Sequence, residues 1–270
     1  MISGTTISAT IQGFSNPWGI VYDPAEGGMA VTNRGSDNVT LLYGKSLHFD
    51  EGVGSLPSGI AYSPYDNALL VTNYGGSNVT AFNAQFQSLG LSIRVGSDPW
   101  GIAYDPANQL TYVANYGSNN VTVIDPYGNQ YANIGVGSGP ESIAFDQNDL
   151  RVYVTDFGGN SVTIIRGYVV KQTVSLTGDG PAGVAYNGDD LKMYVTAYVC
   201  CDRTSCRLNC QDMLPPRGRG GCGQRRCSPP SASRQTTPGT GGPGLGDLQG
   251  LWDLRAHPEV LVPKLPRARC

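Results

Sequence analysis

Apolar residues in the first 198 positions come in short runs of strand length, not at helical spacing. The clearest case is 99–125, PWGIAYDPANQLTYVANYGSNNVTVID. GIAYD (101–105) is apolar on both faces and stops at an Asp-Pro turn. TYVAN (111–115) is β-branched and aromatic, and the polar YGSNN closes it. VTVID (121–125) ends at Asp125-Pro126-Tyr127-Gly128, and QYANIGVG (130–137) adds a fourth, poorer run. Runs of this kind bounded by Gly, Pro, Asn and Asp predict strands joined by tight turns.

The phrase recurs. It starts at Pro17, Pro57, Pro99, Pro140 and Pro181, at intervals of 40, 42, 41 and 41 residues. First strands read GIVYD, GIAYS, GIAYD, SIAFD and GVAYN; second strands read MAVTN, LLVTN, TYVAN, VYVTD and MYVTA. A period in the forties with four strands per unit predicts β-propeller blades, which bury both faces only by stacking around an axis. Four units are complete (17–56, 57–98, 99–139, 140–180). The fifth keeps two strands, Gly183 to Asn187 and Lys192 to Ala197, and then leaves the pattern: VCCDRTSCRLNC stands where a loop and third strand are due. Residues 1–16 resemble a stray fourth strand, so the chain is expected to begin inside a blade. The expected fold class is all-β: a propeller of four-stranded antiparallel blades, about four complete plus a partial fifth, in an incomplete ring, followed by a disordered tail.

Tyr153-Val154-Thr155, with Asp156 in place of Asn, and the PxGIA phrases resemble the YVTN β-propeller repeat of archaeal and bacterial surface-layer-type proteins. The resemblance covers residues 1 to about 198. It implies a parent with more blades, seven being the expected number, and a place at the cell surface or outside the cell. WD-repeat propellers match poorly, because the one Trp-Asp pair, Trp252-Asp253, lies outside the repeats.

Composition divides the chain at the same point. Residues 1–198 hold 7 Lys and Arg against 16 Asp and Glu, whereas 199–270 hold 11 against 5. All 15 Tyr and all 6 Phe precede residue 199, and all 7 Cys follow it. The acidic head lacks the clustered cations that nucleic-acid phosphates require. No apolar run is long enough to span a membrane, and the first residues lack the basic and apolar regions of a signal peptide. The tail, rich in Cys, Arg, Pro and Gly, has too little apolar surface to offset its chain entropy. It reads as disordered, or as the product of a shift in reading frame. Its Cys206, Cys210, Cys222 and Cys227 are a weak zinc set without the usual CxxC spacing; disulfides are the other use of such residues.

Strand parity puts the loop between units and the loop between second and third strands on one face, called the top. Trp18, Ser58, Trp100, Glu141 and Ala182 follow the unit-initial Pro and vary within a fixed frame, as a binding surface on a repeat scaffold does; the two Trp side chains equally suit simple packing. Asn33, Asn73, Asn115 and Asp156 end the second strands and either form a polar ring for a ligand or bond the loops that follow. Arg34, Tyr74, Tyr116 and Phe157 come next in those loops and complete the candidate top-face set. Asn38, Asn78 and Asn120 open N-V-T glycosylation sequons, which are also what a third strand leaving a loop requires.

Catalytic motifs are scarce. The histidines are His48, in an irregular outer strand, and His257, in the tail. The expected function is therefore a non-catalytic surface or secreted scaffold that presents its top-face loops to a protein or glycan partner, with no cofactor and with self-association through open blade edges. The alternative is a propeller enzyme of the lactonase or lyase kind with a pocket at the central channel, although the histidine and carboxylate pattern of those enzymes cannot be placed on the repeats. An electron-transfer propeller ranks last, since no CxxCH haem-attachment motif is present.

Overall fold

The computed structural model describes residues 2–3, 6–7, 9–83, 87–176, 179–198, 251–252 and 260–263. Two short strands, β1 (Ile2–Ser3) and β2 (Thr6–Ile7), pair with each other as a separate ribbon. This corrects the expectation that residues 1–16 form a fourth blade strand: the two strands partner one another, and no blade sheet includes them.

Five four-stranded sheets follow. The first blade is β3 (Pro17–Asp23), β4 (Gly28–Asn33), β5 (Asn38–Tyr43) and β6 (Ser46–Gly52). The second is β7 (Pro57–Ser63), β8 (Ala68–Asn73), β9 (Asn78–Asn83) and β10 (Ser88–Arg94). The third is β11 (Pro99–Asp105), β12 (Leu110–Asn115), β13 (Asn120–Ile124) and β14 (Gln130–Gly135). The fourth is β15 (Pro140–Asp146), β16 (Arg151–Asp156), β17 (Ser161–Arg166) and β18 (Val169–Ser175). In all four, consecutive strands pair antiparallel. The fifth blade opens with β19 (Asp179–Asn187) and β20 (Lys192–Tyr198) and is finished from the tail by β21 (Leu251–Trp252) and β22 (Val260–Pro263), in the order β19-β20-β22-β21. The unit thus has outer strands where the sequence leads one to expect none. They depart from the repeats, because β22 runs parallel to β20. The four candidate zinc cysteines lie outside the described residues.

First strands pack against first strands, β3 on β7, β7 on β11, β11 on β15 and β15 on β19, so the blades form an open arc around them. Apolar cores lie between blades. Val39, Leu41 and Ala30 of blade one meet Ile60, Leu69 and Phe82 of blade two; comparable clusters fill the next three junctions.

Two residues of the repeat make that approach close. Gly19, Gly59 and Gly101 face the carbonyl of Ser58, Trp100 and Glu141 in the next blade, and a Cβ on them would lie 2.5, 2.5 and 2.6 Å from it. The second-strand Thr then ties the junction. Thr32 and Thr72 accept from the Gly19 and Gly59 N–H and donate to the Ser58 and Trp100 carbonyls, both at 2.8 Å. Thr155 likewise accepts from the Ser142 N–H and donates to the Ala182 carbonyl. Blade three has Ala114 at this position and so carries no hydroxyl there.

Burial follows the neighbours. Ile60, Ile102 and Ile143 are 8%, 9% and 7% exposed, each against the blade before it; Ile20, at the same position of blade one, is 60% exposed. At the other flank the side chain of Thr196 is exposed and, among the described residues, Gly183 meets no following blade.

Candidate functional site

The top face is built by a repeated joint. The residue before each unit-initial Pro takes a left-handed backbone: Asn16, Leu56, Asp98, Gly139 and Gly180 have φ of 49, 52, 53, 60 and 59°. Its carbonyl accepts from the first residue of the loop after the second strand, so Arg34, Tyr74, Tyr116 and Phe157 are fastened to residues 16, 56, 98 and 139. Their side chains stand at the joints between units, Arg34 beside Trp18, Tyr74 and Tyr116 beside Trp100, and Phe157 beside Gly180. The opposite face carries Asx turns, with the Asp23, Asp105 and Asp146 side chains accepting from residues two further on.

Five of the candidate residues come together at one place. The Trp18 and Trp100 rings meet edge-on at 5.3 Å between centroids, Tyr74 meets Trp100 edge-on at 5.1 Å, and Tyr116 lies 6.1 Å from Trp100. The Arg34 guanidinium sits over three of these rings, 4.9 Å from Trp18, 5.3 Å from Tyr74 and 5.1 Å from Trp100. Trp18 stays 46% exposed, Trp100 and Tyr116 are half-buried, and Tyr74 is buried. Burial pushes the Tyr74 hydroxyl up to about 12, with the Asp98 charge adding to the shift and Arg34 opposing it. Burial also lowers the Arg34 pKa, against the electrostatic influence of Tyr74.

Glu141 joins this group from blade four. Half-buried at the start of β15, its carboxyl is pushed up to about 7 by burial. Its charge acts on Tyr116, whose hydroxyl is raised mainly by burial and then by Glu141 and Asp98. A carboxyl held near neutrality exchanges protons at physiological pH. Nothing in the local sequence announces this property, because burial is set by the folded surroundings.

The Asn residues ending the second strands are elsewhere. Asn33, Asn73 and Asn115 are buried and donate through Nδ2 to Asn38, Asn78 and Asn120 Oδ1 and to Thr40, Thr80 and Thr122 Oγ1 of the third strand. Asp156, also buried, accepts from Ser161 and Thr163 instead. Burial raises its pKa, while those hydroxyls and the Gly137 N–H hold it down. These side chains serve the junction of second and third strand, and they involve the same Asn and Thr residues that make up the three sequons. Phe157 is half-buried beside Gly180. Ser58 is fully buried and donates to the Pro99 carbonyl. Among the described residues no three His, Cys, Asp or Glu side chains gather to hold a metal, no helix crosses a membrane, and the one histidine, His48, belongs to the outer strand β6.

No protein-family model and no curated protein matches the chain. Solved structures do, at the level of fold. Kuenenia stuttgartiensis hydrazine synthase is 22% identical with a TM-score of 0.60, over 70% of this chain and 56% of that one. A catalytically inactive histidine-to-alanine variant of Staphylococcus aureus virginiamycin B lyase, with quinupristin, is 18% identical with a TM-score of 0.58, over 64% and 61%. A streptogramin B lyase is 19% identical with a TM-score of 0.57, over 65% and 60%. The chain thus spans about three fifths of the length of these proteins. All three are enzymes, and on that finding the expectation of a non-catalytic scaffold binding a protein or glycan is corrected. It leaned on missing contiguous motifs, whereas a propeller assembles a site from residues on separate blades.

Proposed function

We propose that this chain is the blade set of a propeller enzyme of the lyase or lactonase kind, working at the top mouth of the arc. The observation that carries this reading is the rim of Trp18, Tyr74, Trp100 and Tyr116 at that mouth, with Glu141 of the neighbouring inner strand close enough for its charge to act on Tyr116 and its carboxyl pushed up to about 7 by burial. In the deprotonated form it acts as a base toward a bound ester, and in the protonated form it donates to a departing oxygen. The aromatic rim supplies an apolar bed for the rest of the substrate. The test is ring opening of cyclic esters, with quinupristin and simple lactones as substrates, by the full chain and by Glu141→Gln. For Glu141 as base, the rate rises with pH through about 7, and the variant falls at least a hundredfold, within the usual range for a general base. A variant as fast as the parent, or no turnover of any of these esters, overturns the reading.

The repeats are further taken to be of the YVTN kind. Supporting this, the Val, Thr and Asn positions serve separate ends. Val31, Val71 and Val154 are buried in the core, Thr32, Thr72 and Thr155 tie blades, and Asn33 and Asn73 bind the third strand. A place outside the cell and association of copies through the exposed flanks belong to the same reading.

A further inference from the structure

Among the described residues, Arg34 is a cation without a counter-ion. The single ion pair among the described residues is Arg151 with Asp149. The Arg34 side chain, half-buried, has no hydrogen-bond acceptor there. Its three neighbours are the Trp18, Tyr74 and Trp100 rings, with Cζ within 4.9 to 5.3 Å of each centroid, and the group carries five N–H donors in a fixed planar fork. Packing alone does not call for this group: the same loop position holds Tyr74, Tyr116 and Phe157 in the next three units, with an equivalent backbone anchor each time. In blade one a preorganised, partly desolvated cation replaces the ring, beside the exposed Trp18.

We propose that Arg34 is the receptor for a carboxylate on the ligand, gripped through the in-plane N–H edge while the ligand's apolar part lies against Trp18 and Trp100. The class of ligand is a small organic acid, or an ester whose cleavage releases one. This deepens the enzymatic reading of the same rim and rests on it for the site. The rings keep the side chain in one orientation, so little entropy is lost when the bidentate pair forms.

Phenylacetate, phenylacetamide and benzylamine share a shape and differ in charge. Each is titrated into the full chain while tryptophan fluorescence is followed. Phenylacetate is expected to bind at least ten times more tightly than the amide, with benzylamine weakest. Arg34→Gln brings the acid down to the level of the amide, and Arg34→Lys, which keeps the charge and loses the fork, falls between. Circular dichroism melts of both variants check folding, and Arg34→Lys carries the test if Arg34→Gln does not fold. Equal binding of acid and amide, tighter binding of benzylamine, undiminished binding by Arg34→Gln, or no saturable binding of phenylacetate overturns the proposal. Arg34-dependent binding without ester turnover fails the enzymatic reading alone; turnover with binding indifferent to Arg34 fails this proposal alone.

Discussion

The same inner-strand isoleucine is buried in blades two, three and four and open to solvent in blade one. The residue is unchanged, and its strand has the same place and length in each blade. What differs is whether a preceding blade lies against it. Where both are present, a glycine and a threonine mark the opposite side of the blade in the same way: Gly59 and Thr72 engage the next blade's backbone, while among the described residues Gly183 and Thr196 have no following blade to engage. In this fold stability belongs to junctions; each inner blade contributes half of two of them, and each end blade half of one.

Paired substitutions turn that contrast into measurements. The largest effect is expected for Ile60→Ala, which empties a closed junction and should lower stability by about 3 kcal/mol in urea melts. Ile20→Ala should change it by no more than about 0.5 kcal/mol, as for an ordinary surface site. Equal losses would mean that the first flank is covered in solution. Next comes Gly59→Ala, whose methyl would press on the Trp100 carbonyl and should cost about 2 kcal/mol. Gly183→Ala displaces only the exposed Thr196 hydroxyl and should be nearly silent in the same melts. The smallest effect has the opposite sign. Ala114→Thr restores the tie that blades one, two and four possess, toward the Glu141 carbonyl, and should add about 1 kcal/mol to the melting free energy. A loss there would show that blade three has repacked around alanine.

Much of this architecture is written locally. The prolines at 17, 57, 99 and 140 open the first strands of four blades, and the VTN triplet marks second strands because Val, Thr and Asn each meet a separate geometric demand. Pairing between distant segments is not written locally. Residues 2–7 have strand-like composition, yet only their partner decides that they form a ribbon. VLVP in the tail is too short an apolar run to announce itself as a blade strand. The site divides similarly. Trp18 and Trp100 are legible as variation within a fixed frame, and the loop residues around them follow from strand parity. The seat of Arg34 beside Tyr74 and Trp100 arises between blades, and the neutral-range carboxyl of Glu141 arises from burial that only the folded chain supplies.

The alanine at position 114 also bears on where the arc can spread. Glu141 and its neighbour Ser142 begin blade four, and the Ser142 hydroxyl reaches the Val184 N–H of blade five, not blade three. On the other edge of the sheet the Tyr112 hydroxyl clasps the Gly167 carbonyl, fastening blades three and four near the Asx-turn side. The two blades are thus clipped together at one end and lack the threonine clasp at the other, like the jaws of a peg. Prising the jaws apart costs less by roughly the worth of one hydrogen bond, about 1 kcal/mol. Glu141 rides on one jaw and Trp100 and Tyr116 on the other, so the gape of this single joint sets the span between that carboxyl and the two rings.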